Sequence, residues 1–174
     1  MLIDIRTLSE TEIFPLIYRL KKQTFQNTEL VLLGGGKLAA WLSEHDERVK
    51  AAGEEGFSAL VRSATGDFLG ILDVTDTLEE NALSLCAEKL LETGADALYT
   101  DSDCFGSGVT GETRSYKPDF SPDYLRSCNY IRGLFLARRE LFEKIDYERV
   151  EIGGRAHYGL ILRITELAEK GKGI

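Results

Sequence analysis

What this chain of 174 residues has little of already narrows its chemistry. It holds three cysteines, two histidines, one tryptophan, three prolines and one methionine. Cys86, Cys104 and Cys128 lie far apart and form no CxxC pair, so no disulfide scaffold is encoded. With only His45 and His157 to join them, a zinc site would need scattered ligands, and the thiols read as reduced and chemically idle. No run approaches the roughly 20 apolar residues of a membrane-spanning helix. Residues 1–6 show no basic region leading into an apolar run and a cleavage site, so no secretory leader is expected and a cytoplasmic setting is. Positive charge is also short: 21 Lys and Arg face 29 Asp and Glu, a net charge of −8 that repels phosphate backbones. No nucleic-acid partner is expected.

What is present is an ordinary apolar share, 43%, enough for a packed core. Its length suits one domain over residues 1–174 that buries roughly 70% of its unfolded surface. Residues 2–7 alternate apolar and polar, as a short strand does. Ser9 and Glu12 make a capping box for a helix whose apolar face is Ile13, Phe14, Leu16, Ile17 and Leu20. Residues 29–33 read as a strand buried on both faces, stopped by Gly34, Gly35 and Gly36. Residues 38 to about 52 read as a helix with Trp41, Leu42 and Val49 inward, and 57–62 fit either a strand or a short helix.

Residues 68–72 form an apolar strand. Thr77 and Glu80 suggest a second capping box for a helix to about residue 93, with Leu83, Leu85, Cys86, Leu90 and Leu91 inward and Gly94 ending it. Residues 97–100 are another strand, 104–120 a Gly-, Ser- and Thr-rich loop, and Ser121-Pro122 a helix start. A strand over 132–137, a short helix over 138–145 and a final helix over 158–170 complete the series. Strands alternating with helices predict an α/β sandwich with a mostly parallel central sheet. Ligands of such sheets sit beyond the carboxyl ends of the strands. Those ends carry Thr7, the residues 34–36, Asp73 with Asp76, and Asp101 with Asp103.

The glycine run is not a P-loop, because Leu38 stands where a magnesium-binding hydroxyl is needed after Lys37. It also lacks the third glycine of a dinucleotide fingerprint, so it reads as a turn. Asp73 with Asp76, and Asp101 with Asp103, are hard oxygen ligands suited to Mg²⁺ or Mn²⁺ beside a diphosphate. Asp also ends strands and begins helices routinely, because its side chain caps free amides.

Three blocks carry a resemblance: Leu98-Tyr99-Thr100-Asp101-Ser102-Asp103, then Lys117-Pro118-Asp119-Phe120-Ser121-Pro122-Asp123-Tyr124-Leu125, then Asn129-Tyr130-Ile131. With Arg138-Arg139-Glu140-Leu141 after them and Thr65-Gly66-Asp67-Phe68-Leu69-Gly70-Ile71-Leu72-Asp73 before, the chain resembles the family 2 glycosyltransferases of GT-A fold over residues 2 to about 169. The resemblance implies transfer of a sugar from a nucleotide-diphosphate donor to a hydroxyl of a glycan acceptor, in polysaccharide biosynthesis and usually with inversion. It places Thr7 and Asp73 at the donor and Asp73 and Asp76 on Mg²⁺ or Mn²⁺. Asp101, Asp103, Asp119, Asp123 and Tyr124 fall on the acceptor side, and His157 takes the position of the catalytic base.

Four positions depart from the family pattern. The first strand keeps only Thr7 of its usual Pro-Thr-Tyr-Asn ending, and Gly34 and Gly35 replace the aspartates that hold the nucleoside. Thr75 replaces the central carboxylate of the metal motif, and His157 replaces an aspartate. The chain is thus expected to be either a working transferase of unusual specificity or a non-catalytic GT-A-like domain. In the second case it would bind, or assemble with a partner glycosyltransferase that carries the complete motifs.

Overall fold

Alternation of small apolar blocks along the strands builds two cores, one on each side of a single sheet. The computed structural model describes residues 1–4, 6, 9–53, 56–72, 76–104, 113–147 and 157–168. Its elements in chain order are β1 (Leu2–Asp4), α1 (Glu10–Lys21), β2 (Leu30–Leu33), α2 (Gly36–His45), β3 (Val49–Ala51), α3 (Phe57–Ser63), β4 (Phe68–Ile71) and α4 (Ala82–Thr93). They continue with β5 (Ala97–Tyr99), β6 (Ser102–Cys104), β7 (Thr113–Ser115), α5 (Pro122–Ser127), β8 (Phe135–Arg138), α6 (Arg139–Glu143) and α7 (His157–Ala168).

Six strands form the main sheet in the order β3-β2-β1-β4-β8-β5. The first four run parallel, with Leu2 opposite Val31 and Leu30 opposite Val49. β8 is antiparallel to β4 and to β5, with Leu69 and Ala97 both opposite Ala137. β5 therefore runs in the same direction as β4, and β1 to β5 all end at one edge. Successive side chains of a strand point to opposite faces. Val31, Leu33, Leu69, Ile71, Phe135 and Ala137 accordingly face α3, α5, α6 and α7. Leu30, Leu32, Ile3, Leu134 and Leu136 face α1, α2 and α4. The result is the expected α/β/α sandwich with a mostly parallel sheet, compatible with a GT-A-like fold.

Local chemistry sets several boundaries as expected. The Glu12 carboxylate accepts from the Ser9 amide at 2.9 Å and the Ser9 hydroxyl at 2.6 Å, holding the start of α1. Those bonds, the hydroxyl's first, also hold its carboxyl below the usual range. Gly94 ends α4 in the left-handed conformation, φ +66°, its amide donating to Leu90. Residues 57–63 resolve as helix, with Phe57, Ala59, Leu60 and Val61 buried.

Other boundaries differ, for tertiary reasons. α2 stops at His45, where Asp46 turns extended, forms a 2.5 Å ion pair with Lys21 and accepts the Arg48 amide at 3.1 Å. Val49 thus belongs to β3, and Trp41, 48% exposed, stacks outside on His45 rather than facing inward. α4 begins at Ala82 without the Thr77–Glu80 box, because its approach is tied to the α1–β2 loop. The buried Gln23 side chain donates to the Glu79 carbonyl and accepts the Leu83 amide, while the Thr24 amide donates to the Glu80 carbonyl. The buried stripe of α4 is Leu83, Cys86 and Leu90, leaving Leu85 and Leu91 outside. On α1, Phe14 is likewise exposed. β8 begins only at Phe135, since Gly133 at φ +86° breaks the extended run. The stretch 104–120, read as a loop, carries β7 and the end of β6, which pair as a separate hairpin.

Candidate functional site

The parallel strands bring their loops to one edge, and the strand order reverses between β1 and β4. That reversal is where open sheets leave a crevice for ligands. Arg6 follows β1 there, and its stem lies over the backbone of Gly34 at the end of β2. A Cβ on Gly34 would overlap the Arg6 Cγ and come within 3.1 Å of its Cα. Gly34, Gly35 and Gly36 take φ of +83°, +76° and +45°, a left-handed run that turns the chain from β2 into α2. The Gly34 amide donates to the Gly53 carbonyl at 2.8 Å, and the Gly35 carbonyl accepts from Leu38 and Ala39. This is the turn expected there. Thr7, Asp73 and Thr75 lie outside the described residues. Asp76 is described, half-buried, beyond the end of β4.

The segments that follow β5 are organised around tyrosines. The Tyr99 hydroxyl donates to the Pro118 carbonyl at 2.6 Å, and the Lys117 amide donates to Asp101 Oδ1 at 2.7 Å. The Lys117 ammonium in turn donates to the Ser102 hydroxyl. These bonds fasten residues 117–118 to the end of β5. Tyr99 meets Tyr130 edge-on at 5.9 Å between ring centroids, and Tyr130 stacks on Tyr124 at 5.1 Å with planes 13° apart. The Tyr130 hydroxyl accepts the Ser121 amide at 3.0 Å. Burial first, then Tyr130 and the carboxylates of Asp119 and Asp101, push the Tyr99 phenol above its ordinary range. The hydroxyl therefore stays protonated and remains a donor.

Ser121 and Pro122 start α5 as their chemistry predicts, with the Tyr124 amide donating to Ser121 Oγ at 3.4 Å. Asp123, in its first turn, pairs with Arg126 at 3.0 Å. Asp103 lies exposed in β6 opposite Arg114 of β7. Asp119 is exposed too. His157 is the first residue of α7 and half-buried, and its neighbour Tyr158 donates its hydroxyl to the Leu125 carbonyl of α5. The start of α7 is thereby tied to the helix that carries Asp123 and Tyr124. Among the described residues, which omit Asp73, no cluster of three His, Cys, Asp or Glu side chains stands ready for a metal. Cys86, buried, and Cys128, exposed, are free thiols.

A groove of about 670 Å³ lies at the opposite, amino-terminal edge, lined by Met1, Phe25, Glu29, Thr65, Phe68 and Leu90 among others. Three carboxylates line it: Glu47 and Asp67 are exposed, and Glu29 is engaged within the fold. Glu29 accepts from the Lys50 ammonium at 2.5 Å, the Thr65 amide at 2.5 Å and hydroxyl at 2.9 Å, and the Gly66 amide at 3.0 Å. Burial alone would raise its pKa, but these bonds outweigh that and hold it at about 2. Glu29 in this groove thus serves the fold, joining β2 to β3 and to the turn before β4.

Tyr130 is the residue that motif reading passed over, although it stands inside the Asn129-Tyr130-Ile131 block. Its role as the middle ring depends on packing between residues far apart in sequence.

Comparison with known proteins adds one relative. The chain is 37% identical over 116 residues to the O-antigen biosynthesis protein RfbC of Myxococcus xanthus. The match covers 66% of this chain and 9% of that protein, so the chain spans only a small part of its relative's length. No protein-family profile matches. Among the described residues, no helix is long and apolar enough to cross a membrane.

Proposed function

We propose that the chain is a family 2-like, GT-A-type domain of polysaccharide synthesis that transfers a sugar from a nucleotide diphosphate to a glycan hydroxyl. The similarity to a protein of O-antigen biosynthesis carries this reading. The sheet order and the loops gathered at its carboxyl edge support it. In the proposed reaction the acceptor hydroxyl gives its proton to the His157 imidazole as its oxygen bonds to the anomeric carbon. The bond from that carbon to the diphosphate oxygen breaks, and its electron pair leaves with the diphosphate. A histidine, with an ordinary pKa of about 6.5, is matched to proton transfer near neutral pH.

Thr7 and Asp73 would contact the donor, and Asp101, Asp103, Asp119, Asp123 and Tyr124 the acceptor side. Asp73 and Asp76 are hard oxygen donors whose chemistry fits Mg²⁺ or Mn²⁺, and the bound ion would offset charge on the diphosphate. One observation favours a second reading, a non-catalytic domain that binds glycan or assembles with a complete transferase. At the end of β2, where the family keeps aspartates, Gly34 lies under the Arg6 stem and offers no carboxylate.

Calorimetric titration of uridine and guanosine diphosphates with Mn²⁺ separates the two. Saturable heat that disappears without the metal, with turnover lost in His157→Ala while donor binding persists, supports transfer. No saturable heat at millimolar nucleotide leaves the non-catalytic reading.

A further inference from the structure

We infer that Tyr124, backed by Tyr130 and Tyr99, is a prebuilt platform on which one pyranose ring of a neutral glycan stacks. The inference rests on the glycan-synthesis reading and names the contact by which this domain would hold its glycan.

One face of the Tyr124 ring is covered by Tyr130, yet the residue remains 49% exposed, which leaves the opposite face toward solvent. An exposed aromatic ring on a short helix is usually free to change rotamer, and ordering it on binding costs affinity. Here the backing ring is fixed from two directions. Tyr130 accepts the Ser121 amide through its hydroxyl and meets the edge of Tyr99, whose own hydroxyl is bound to Pro118. The ordering cost is met during folding, before any ligand arrives.

The chemistry around the platform indicates its ligand. An aromatic face is electron-rich and attracts the polarised C–H bonds on the flat side of a sugar ring. Charges of both signs stand around it, Asp101, Asp103, Asp119 and Asp123 among Arg114, Lys117 and Arg126; Asp123 pairs with Arg126, and Asp103 stands opposite Arg114. No large excess of one sign selects a phosphate or a cation. Mixed donors and acceptors around an apolar face suit a neutral polyhydroxylated ring. The platform also stands at the carboxyl edge of the sheet, beside the α7 start that brings His157.

Nuclear magnetic resonance on the whole chain tests this, with glucose, galactose and mannose tetrasaccharides as probes and uridine as a competing flat ring. At least one neutral tetrasaccharide should shift the Tyr124 ring signals. Tyr124→Ala should weaken its binding roughly five- to tenfold, while Tyr124→Phe retains it. Tyr130→Leu, which leaves Tyr124 in place but unbacked, should weaken it by a smaller factor. An unchanged circular dichroism melting curve shows that each variant is folded. The inference is overturned if no tetrasaccharide moves the Tyr124 signals, if Tyr124→Ala binds as the parent does, or if only uridine shifts them. Nucleotide and Mn²⁺ heat measured on the same samples keeps the two proposals apart. Tetrasaccharide binding without donor heat upholds the platform and removes transfer; donor heat without tetrasaccharide binding does the reverse.

Discussion

The two edges of the sheet spend their polar groups differently. At the amino edge the Glu29 carboxylate is surrounded by Lys50, Thr65 and Gly66, joining the start of β2 to β3 and to the turn before β4. At the carboxyl edge the chain carries exposed carboxylates, an open tyrosine face and a left-handed glycine turn. The Glu29 cluster, satisfied by the fold, is a structural seam, while Glu47 and Asp67 of the same groove stay exposed. An edge that holds aromatic and acidic side chains toward solvent can still form contacts with something else.

Substitutions can break this contrast, and the largest effect is expected at the seam. Glu29→Ala removes a shared acceptor and leaves the Lys50, Thr65 and Gly66 donors short of partners. It should lower unfolding free energy by about 2–3 kcal/mol in urea, with little change in ligand affinity at the other edge. Gly34→Ala comes next, because φ of +83° is costly for a residue with a Cβ and the Arg6 stem occupies the space. A loss of about 1–2 kcal/mol is expected. Tyr99→Phe deletes the hydroxyl that binds Pro118 and should cost about 1 kcal/mol.

The same Glu29 carboxylate also gives the contrast a pH signature. The Glu29 carboxyl is held at about 2 against an ordinary 4.5. Its contribution to stability is therefore full above about pH 4.5 and lost as pH falls toward 2, because the unfolded chain binds the proton first. Urea midpoints followed from pH 5 to pH 2 should fall less steeply in Glu29→Gln than in the parent. Equal slopes would remove Glu29 from the account.

Much of the fold was legible because local chemistry decides it. Four consecutive apolar residues of β2 face two cores, Ser9 meets Glu12, Pro122 follows a hydroxyl cap, and Gly94 takes the left-handed end of α4. The misread boundaries are those that distant residues set. Trp41, Leu42 and Val49 fit a helical period, but the Asp46–Lys21 pair ends the helix before Val49. Thr77 and Glu80 spell a capping box, but Gln23 and Thr24 bind that approach to another loop. The motif blocks after β5 fold beside one another, through Tyr99 with Pro118, Asp101 with Lys117 and Tyr158 with Leu125. What they did not reveal was the ring stack, since Tyr99, Tyr124 and Tyr130 become neighbours only through packing. The donor-side expectations at Thr7 and Asp73 lie outside the described residues.

The most direct test of the contrast is amide shift mapping of the whole chain with uridine diphosphate and Mg²⁺. The account predicts shifts at Arg6, at residues 34–36 and at Asp76, with Thr65 and Gly66 unmoved. Shifts confined to Phe25, Glu29, Thr65 and Gly66 would contradict it, moving the binding edge to the other end of the sheet.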